Sequence, residues 1–340
     1  MPTAPSPMPS GQAAEAGPLP EATLTAAGVR VLRGVPYASL DGVRPLELDL
    51  YLPAPQPGPP PDARAGARAG ARAGAIADVR GCPAVVFLHG GGWRLGSRRS
   101  AGPAFSGVVS PFERVAAAGV AVASADYRLS GEASWPAQLH DAKAAVRWLR
   151  HRSGELGIDP DHIGAWGESA GGHLAALLGV TGTLGVTGTL DADAPLEGAV
   201  GVTGVSSAVA TVVAWYAPTD LVGLPGDLGA DPAATDSREA LLLGGAISER
   251  PDAAAEAGAV THVHAGAPAY LLVHGEADRL VPRAQSIRLA AALEAAGVEV
   301  ELVLEPGADH LWRGSDEAAE DALRRTVEHL TTRLGPSPLR

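Results

Sequence analysis

Short apolar runs and amphipathic stretches take turns along most of this chain. Residues 29–35 are mostly apolar, and 46–52 alternate apolar and polar positions up to Pro53, so both segments read as strands. Beyond Pro83 the pattern becomes regular, with strands expected at 84–88, 120–125, 163–166, 211–215, 270–274 and 298–304. Between and after them lie helical patterns at 111–118, 137–150, 170–178, 283–296 and 316–334. In the second of these, Leu139, Val146 and Leu149 fall on one side and Asp141, Lys143 and Arg147 on the other, which predicts a core face and a solvent face. Strand and helix alternating in this way predict an α/β protein: a mostly parallel central sheet with helices on both faces. One domain, residues 26–335, accounts for all of it. Reactive groups then belong on the loops at the carboxyl ends of the strands.

Three segments stand outside this pattern. Residues 1–25 are rich in Pro, Ala and Ser and are expected to form a disordered extension, because such residues bury too little apolar surface to offset the entropy of ordering. A low-complexity stretch at about 54–80, with Ala-Arg-Ala-Gly repeated from Ala63 to Gly74, is expected to be an expanded surface loop. The third is a duplication, Thr181-Gly182-Thr183-Leu184 returning at Thr187 to Leu190, which is expected to form a flexible polar rim.

Charge and cysteine usage narrow the classes of function. The net charge is -12, from 26 basic and 38 acidic residues, which argues against nucleic acid or an anionic membrane surface as partner. Cys82 is the only cysteine, so no intrachain disulfide forms and a reducing compartment fits. The first 20 residues lack the basic start and apolar run of a signal peptide, and no later stretch reads as a membrane span. Cytoplasmic localisation is the expectation. Every basic residue except Lys143 is arginine, which reads as compositional bias.

The loop after the 163–166 strand is Gly167-Glu168-Ser169-Ala170-Gly171-Gly172 and runs straight into a helix. This is Gly-x-Ser-x-Gly in strand-turn-helix context, where glycines flank a serine held on a sharp, strained turn. Ser169 is the expected nucleophile. The loop after the 84–88 strand is His89-Gly90-Gly91-Gly92-Trp93, whose glycines allow close backbone approach to a substrate. The amides of Gly91 and Gly92, with that of Ala170, are the expected oxyanion donors.

An activated serine needs a base, and this chain order places the histidine after an acid. Asp309-His310 follows the last strand, which makes His310 the expected base. Glu276-Ala277-Asp278 follows the strand before it, making Asp278 the orienting acid, with Glu276 and Asp309 as the alternatives. Trp93 and Trp312, beside the glycine loop and the histidine, are expected to narrow the substrate pocket and favour acetyl to butyryl groups. His89 is expected to fix the glycine loop by a hydrogen bond, and His173 to pack. His262 and His264 lack a Cys or carboxylate cluster at ligand spacing, so no metal or other cofactor is expected. Asp220 reads as a loop cap.

Taken together, His89-Gly90-Gly91-Gly92-Trp93, Asp126-Tyr127-Arg128-Leu129, Trp135-Pro136-Ala137-Gln138, the Ser169 turn, His274 to Asp278 and Asp309-His310 resemble the esterases of the α/β-hydrolase superfamily. They are similar to its BD-FAE (acetyl xylan and feruloyl esterase) and hormone-sensitive-lipase-like groups over about residues 35–335. The resemblance implies the α/β-hydrolase fold and a serine carboxylesterase acting on a small-molecule ester through an acyl-enzyme. It carries over Ser169, Asp278 and His310 as the triad and Gly91, Gly92 and Ala170 as the oxyanion donors. An amide hydrolase of the arylformamidase type is the alternative, and a non-catalytic ligand-binding protein of the same fold a further one. Members acting on plant cell-wall polymers are typically secreted, which counts against xylan itself as substrate.

Overall fold

In the computed structural model, described for residues 17–54, 81–107, 109–182 and 195–335, nine strands form one sheet in the order β1-β2-β3-β5-β4-β6-β7-β8-β9. They are β1 (Thr23–Leu24), β2 (Arg30–Ala38), β3 (Leu46–Leu52), β4 (Cys82–Leu88), β5 (Ala121–Ala125), β6 (Ile158–Glu168), β7 (Thr211–Trp215), β8 (Ala269–Gly275) and β9 (Val300–Glu305). The pairs from β1 through β3 to β5 are antiparallel, and all others are parallel. The helices are α1 (Pro111–Ala117), α2 (Ala137–His151), α3 (Ser153–Leu156), α4 (Ala170–Thr181), α5 (Leu224–Leu228), α6 (Arg238–Leu243), α7 (Pro251–Glu256), α8 (Ala284–Ala295) and α9 (Asp316–Leu334).

Successive side chains of a strand point to opposite faces, and β4 shows what each face meets. Ala84, Val86 and Leu88 enter one core with Leu139 and Val146 of α2, Leu174 of α4 and Leu289 of α8. Val85 and Phe87 enter the other with Phe112 of α1 and Leu323 and Leu330 of α9. The central strands are apolar on both sides because helices cover both. Helix ends follow local chemistry: Ser110 and Ser315 accept hydrogen bonds from the amides of Phe112 and Ala318 at the starts of α1 and α9.

Three expectations change. Thr23 and Leu24, inside the stretch expected to be disordered, pair antiparallel with Val31 and Arg30, while residues 1–16 lie outside the described residues. The solvent face predicted for α2 is absent: Asp141, Lys143 and Arg147 are all buried. The chain at 195–208 covers them, Glu197 meeting Lys143 at 3.0 Å and Arg147 at 2.5 Å, while Arg128 pairs with Asp141 at 2.7 Å. Arg147 also donates to the carbonyls of Val200 and Val202. Lys143 is therefore a buried cation paired within this cluster. Finally, α5 to α7, between β7 and β8, had no signature in the hydrophobic pattern.

The Ala-Arg-Ala-Gly repeats and residues 183–190 of the Thr-Gly-Thr-Leu duplication lie outside the described residues. Among the described residues no helix is long and apolar enough to cross a membrane.

Candidate active site

The carboxyl ends of β4, β6, β7, β8 and β9 lie side by side, so the loops leaving them converge. Leu88 and Gly167 are register partners, which sets the glycine loop next to the Ser169 turn. Ser169 has φ 50° and ψ -119°, a conformation uncommon for a residue with a side chain and stored only where its surroundings impose it. The imposing contacts are close: a Cβ on Gly171 would stand 1.9 Å from the carbonyl oxygen of Leu88, and one on Gly167 2.2 Å from that of Gly171. Glycine is thus required on both sides of the serine. Although Ser169 sits at the cap position of α4, its hydroxyl caps nothing and is left for another partner.

That partner is His310, whose Nε2 lies 3.0 Å from Ser169 Oγ while Nδ1 lies 2.7 Å from Asp278 Oδ2. An ionised carboxylate can only accept, so Nδ1 carries the proton and Nε2 presents its lone pair to the serine hydroxyl. Asp278 is held by more than the imidazole. Its Oδ1 accepts from the amides of Leu280 and Val281, both at 2.9 Å, and His274 Nε2 stands 3.4 Å from Oδ2. Burial alone would raise its pKa, but the hydrogen bonds from His274, His310 and Val281 outweigh it and hold the carboxyl well below the usual range.

The other sequence candidates separate clearly. Glu276 faces solvent near Arg283. Asp309 accepts from the amides of His310 and Arg279, clamping the acid loop to the histidine loop instead of orienting the ring. Asp220 caps the start of α5 through Gly223 and pairs with Arg288. His262 Nε2 bonds the carbonyl of Glu256, and His264 Nδ1 accepts from the amide of Gly266. Among the described residues no group of three or more His, Cys, Asp or Glu is arranged to hold a metal.

On the oxyanion side, the amides of Gly91, Gly92 and Ala170 donate to no acceptor among the described residues, and all three residues line a cleft of about 180 Å³ with Ser169 and His310. Ala170 is the first residue of α4, so its amide and the positive helix end both face this cleft. His89 fixes the loop as expected: Nδ1 bonds the Gly90 carbonyl at 2.8 Å, and the ring stacks on Tyr127, whose hydroxyl donates to the His89 carbonyl.

The two tryptophans part company. Trp93 borders the cleft, although its side chain is itself packed in the core and bonded to His173. Trp312 does not; it is buried in the core beneath α9, packed edge-on against Trp215 and Tyr216. The expectation that it narrows the pocket fails because Leu311 and Trp312 both take positive φ, 62° and 63°, which turns the indole inward and leaves Leu311 at the cleft.

Several residues of the site escaped the sequence reading. Glu168 is buried, accepts from the Gly90 amide at 3.3 Å and from the Tyr216 hydroxyl at 2.7 Å, and its pKa is raised by that burial. Tyr216, kept protonated by burial and the neighbouring carboxylate, packs edge-on against His310 with ring centres 4.8 Å apart. Glu168 and Tyr127 sit inside quoted motifs and could have been marked there. Tyr216 has no local signal beyond following a strand.

Comparison with known proteins agrees with this architecture. Residues 77–293 match the family BD-FAE. Esterase LipQ of Mycobacterium tuberculosis is 30% identical over 262 residues, covering 76% of this chain and 56% of LipQ. The chain thus spans about half the length of the curated relatives it matches. A truncated carbohydrate esterase from gut microbiota superposes with a TM-score of 0.70 at 28% identity, over 90% of this chain and 96% of that one. A propionate-bound esterase from Thermogutta terrifontis gives 0.62 at 27% identity, over 93% and 98%.

Proposed function

The chain belongs to the BD-FAE family of α/β-hydrolase esterases, and we propose from that premise that it is a serine carboxylesterase acting on short-acyl esters through an acyl-enzyme. The observation that carries this reading is the unbroken relay from Asp278 Oδ2 through the imidazole of His310 to Ser169 Oγ, opening on a cleft lined by Gly91, Gly92 and Ala170, whose amides donate to no acceptor among the described residues.

The steps follow from the geometry. Ser169 Oγ attacks the acyl carbon as its proton passes to His310 Nε2, and Asp278 stabilises the imidazolium that forms. Negative charge develops on the carbonyl oxygen, where the amides of Gly91, Gly92 and Ala170 and the positive end of α4 receive it. One such donor is typically worth about 3 to 4 kcal/mol in the transition state. Collapse expels the alcohol, which takes the proton from Nε2. Water then repeats the sequence on the acyl-enzyme, releasing the acid and regenerating Ser169. Side chains and water supply every step, so the mechanism calls for no cofactor.

A short acyl group is supported by the size of the cleft, about 180 Å³, below the roughly 300 Å³ at which drug-sized ligand sites begin. The propionate bound to the Thermogutta esterase is of that class. A single cysteine supports placing the enzyme in the cytoplasm.

The test is hydrolysis of p-nitrophenyl acetate, butyrate, octanoate and palmitate by the wild type and Ser169→Ala, with N-formylkynurenine alongside. Turnover should be highest on the short esters and vanish in the variant. Full activity of Ser169→Ala, or turnover of the formamide alone, would overturn the reading.

A further inference from the structure

The cleft over Ser169 is lined mostly by apolar side chains such as Leu95, Pro218, Leu280 and Leu311, yet α6 presents Arg238 and Glu239 to it. Neither takes part in the steps above. The stem of Arg238 lies against the glycine loop: a Cβ on Gly92 would stand 2.5 Å from Arg238 Cδ and 3.2 Å from its Nε. With φ 59° at Gly92, glycine there both frees the backbone and leaves room for this stem.

Other guanidinium groups near the site are occupied. Arg98 is held by Asp49 and Asp126, and Arg128 by Asp141. Arg238 is exposed and pairs with no carboxylate among the described residues, its neighbour Glu239 included. A guanidinium whose stem is packed beside the amide of Gly92 presents a fork that matches a planar oxyanion.

Resting on the ester-hydrolysing reading of this cleft, we propose that Arg238 forms an anion subsite and that the enzyme prefers esters carrying a free carboxylate close to the scissile bond. The charge of the whole chain, -12, gives anions no general attraction, so this selectivity is local to the subsite. Glu239 opposes it from the adjacent position. The carboxylate can lie in either half of the ester, as in a half-ester of a short dicarboxylic acid or an acetylated hydroxybenzoate.

Two matched pairs separate these cases. In the first, p-nitrophenyl butyrate is compared with mono-p-nitrophenyl succinate; in the second, phenyl acetate with 4-acetoxybenzoate. The readout is the ratio of kcat/KM, anionic over neutral, for the wild type, Arg238→Met, Arg238→Lys and Glu239→Gln. In one pair Arg238→Met should lower the ratio about tenfold or more, as expected for a hydrogen bond to a charged group. Arg238→Lys, which keeps the charge and loses the fork, should fall between, and Glu239→Gln should raise the ratio. A ratio unchanged by Arg238→Met in both pairs overturns the subsite, while Ser169-dependent turnover of the neutral esters stands or falls separately and reports only on the parent reading.

Discussion

Trp93 of the glycine loop and His173 of α4 are joined by a hydrogen bond, the indole Nε1–H donating to His173 Nδ1 at 3.2 Å. His173 Nε2 in turn donates to the carbonyl of Ala257 at 2.6 Å. The imidazole thus bridges the glycine loop, the helix that follows Ser169 and the chain after α7. The bond from Trp93 requires the neutral form, whereas the one to Ala257 survives protonation, and burial lowers the pKa of His173 to about 4.

This shift sets a pH window for stability. An unfolded imidazole takes up its proton near pH 6.5, and the folded one only near 4, so the unfolded state binds more protons between these values. Stability is full above about pH 6.5 and falls as the pH drops toward 4, by on the order of 3 kcal/mol from His173 alone. Burial lowers the pKa values of His89, His140 and His329 as well, which steepens the loss. Urea unfolding at a series of pH values should show this slope in the wild type and a shallower one in His173→Leu. Identical slopes would rule His173 out as a contributor.

Asp278→Asn should leave a folded protein with kcat lowered by up to about 10⁴-fold, because an amide can donate to Nδ1 and so favour the tautomer that no longer accepts the serine proton. The companion change Ser169→Ala should cost up to about 10⁶-fold while leaving the unfolding transition in place. Alanine keeps the side chain that this turn already tolerates. Near-wild-type rates in Asp278→Asn would show that Asp278 does not orient His310.

Trp312→Ala and Trp93→Ala should act differently. Trp312 is buried among Trp215 and Tyr216, so its removal leaves a cavity costing about 3 to 5 kcal/mol while the acyl-length preference stays the same. Trp93 is as deeply buried, so its removal also costs stability, but it borders the cleft and its loss should broaden that preference toward octanoate. The kcat/KM profile across an ester series distinguishes the two, while melting temperatures report the loss of stability that both share. A shifted chain-length profile in Trp312→Ala would contradict its place in the core.

Glu197→Ala should be among the most destabilising single changes outside the site. It leaves the ammonium of Lys143 and the guanidinium of Arg147 buried without their carboxylate, a loss of about 3 to 5 kcal/mol for a broken buried pair. Replacing both cations and the acid by apolar residues of similar size should recover much of it. Chemical denaturation of the single and triple variants gives the comparison, and a loss below about 1 kcal/mol in Glu197→Ala would show that the cluster is dispensable.

The hydrophobic pattern of this chain by itself determined its central architecture. The expected strands from 84–88 onward correspond to β4 to β9, because strands buried on both faces write themselves as short apolar runs whose meaning is local. The Ser169 turn was equally legible, since the glycines around it answer to backbone collisions within a few residues or with the adjacent strand. Chain order then singled out Asp278 and His310, which the structure brings within hydrogen-bonding distance of each other and of Ser169.

What only the tertiary structure decided concerns polar and aromatic side chains whose partners come from distant segments. Whether Asp141, Lys143 and Arg147 faced water depended on Arg128 and on Glu197, some 50 residues beyond Arg147, and a periodicity argument sees neither. Trp312 turned inward because of a backbone conformation that its residue type does not signal. Tyr216, Glu168 and Arg238 owe their places to strand ends and a helix brought together by the sheet. Apolar burial is nearly non-directional and can be read from composition along a strand. A buried hydrogen bond or ion pair requires a specific partner at a specific distance, which folding alone supplies.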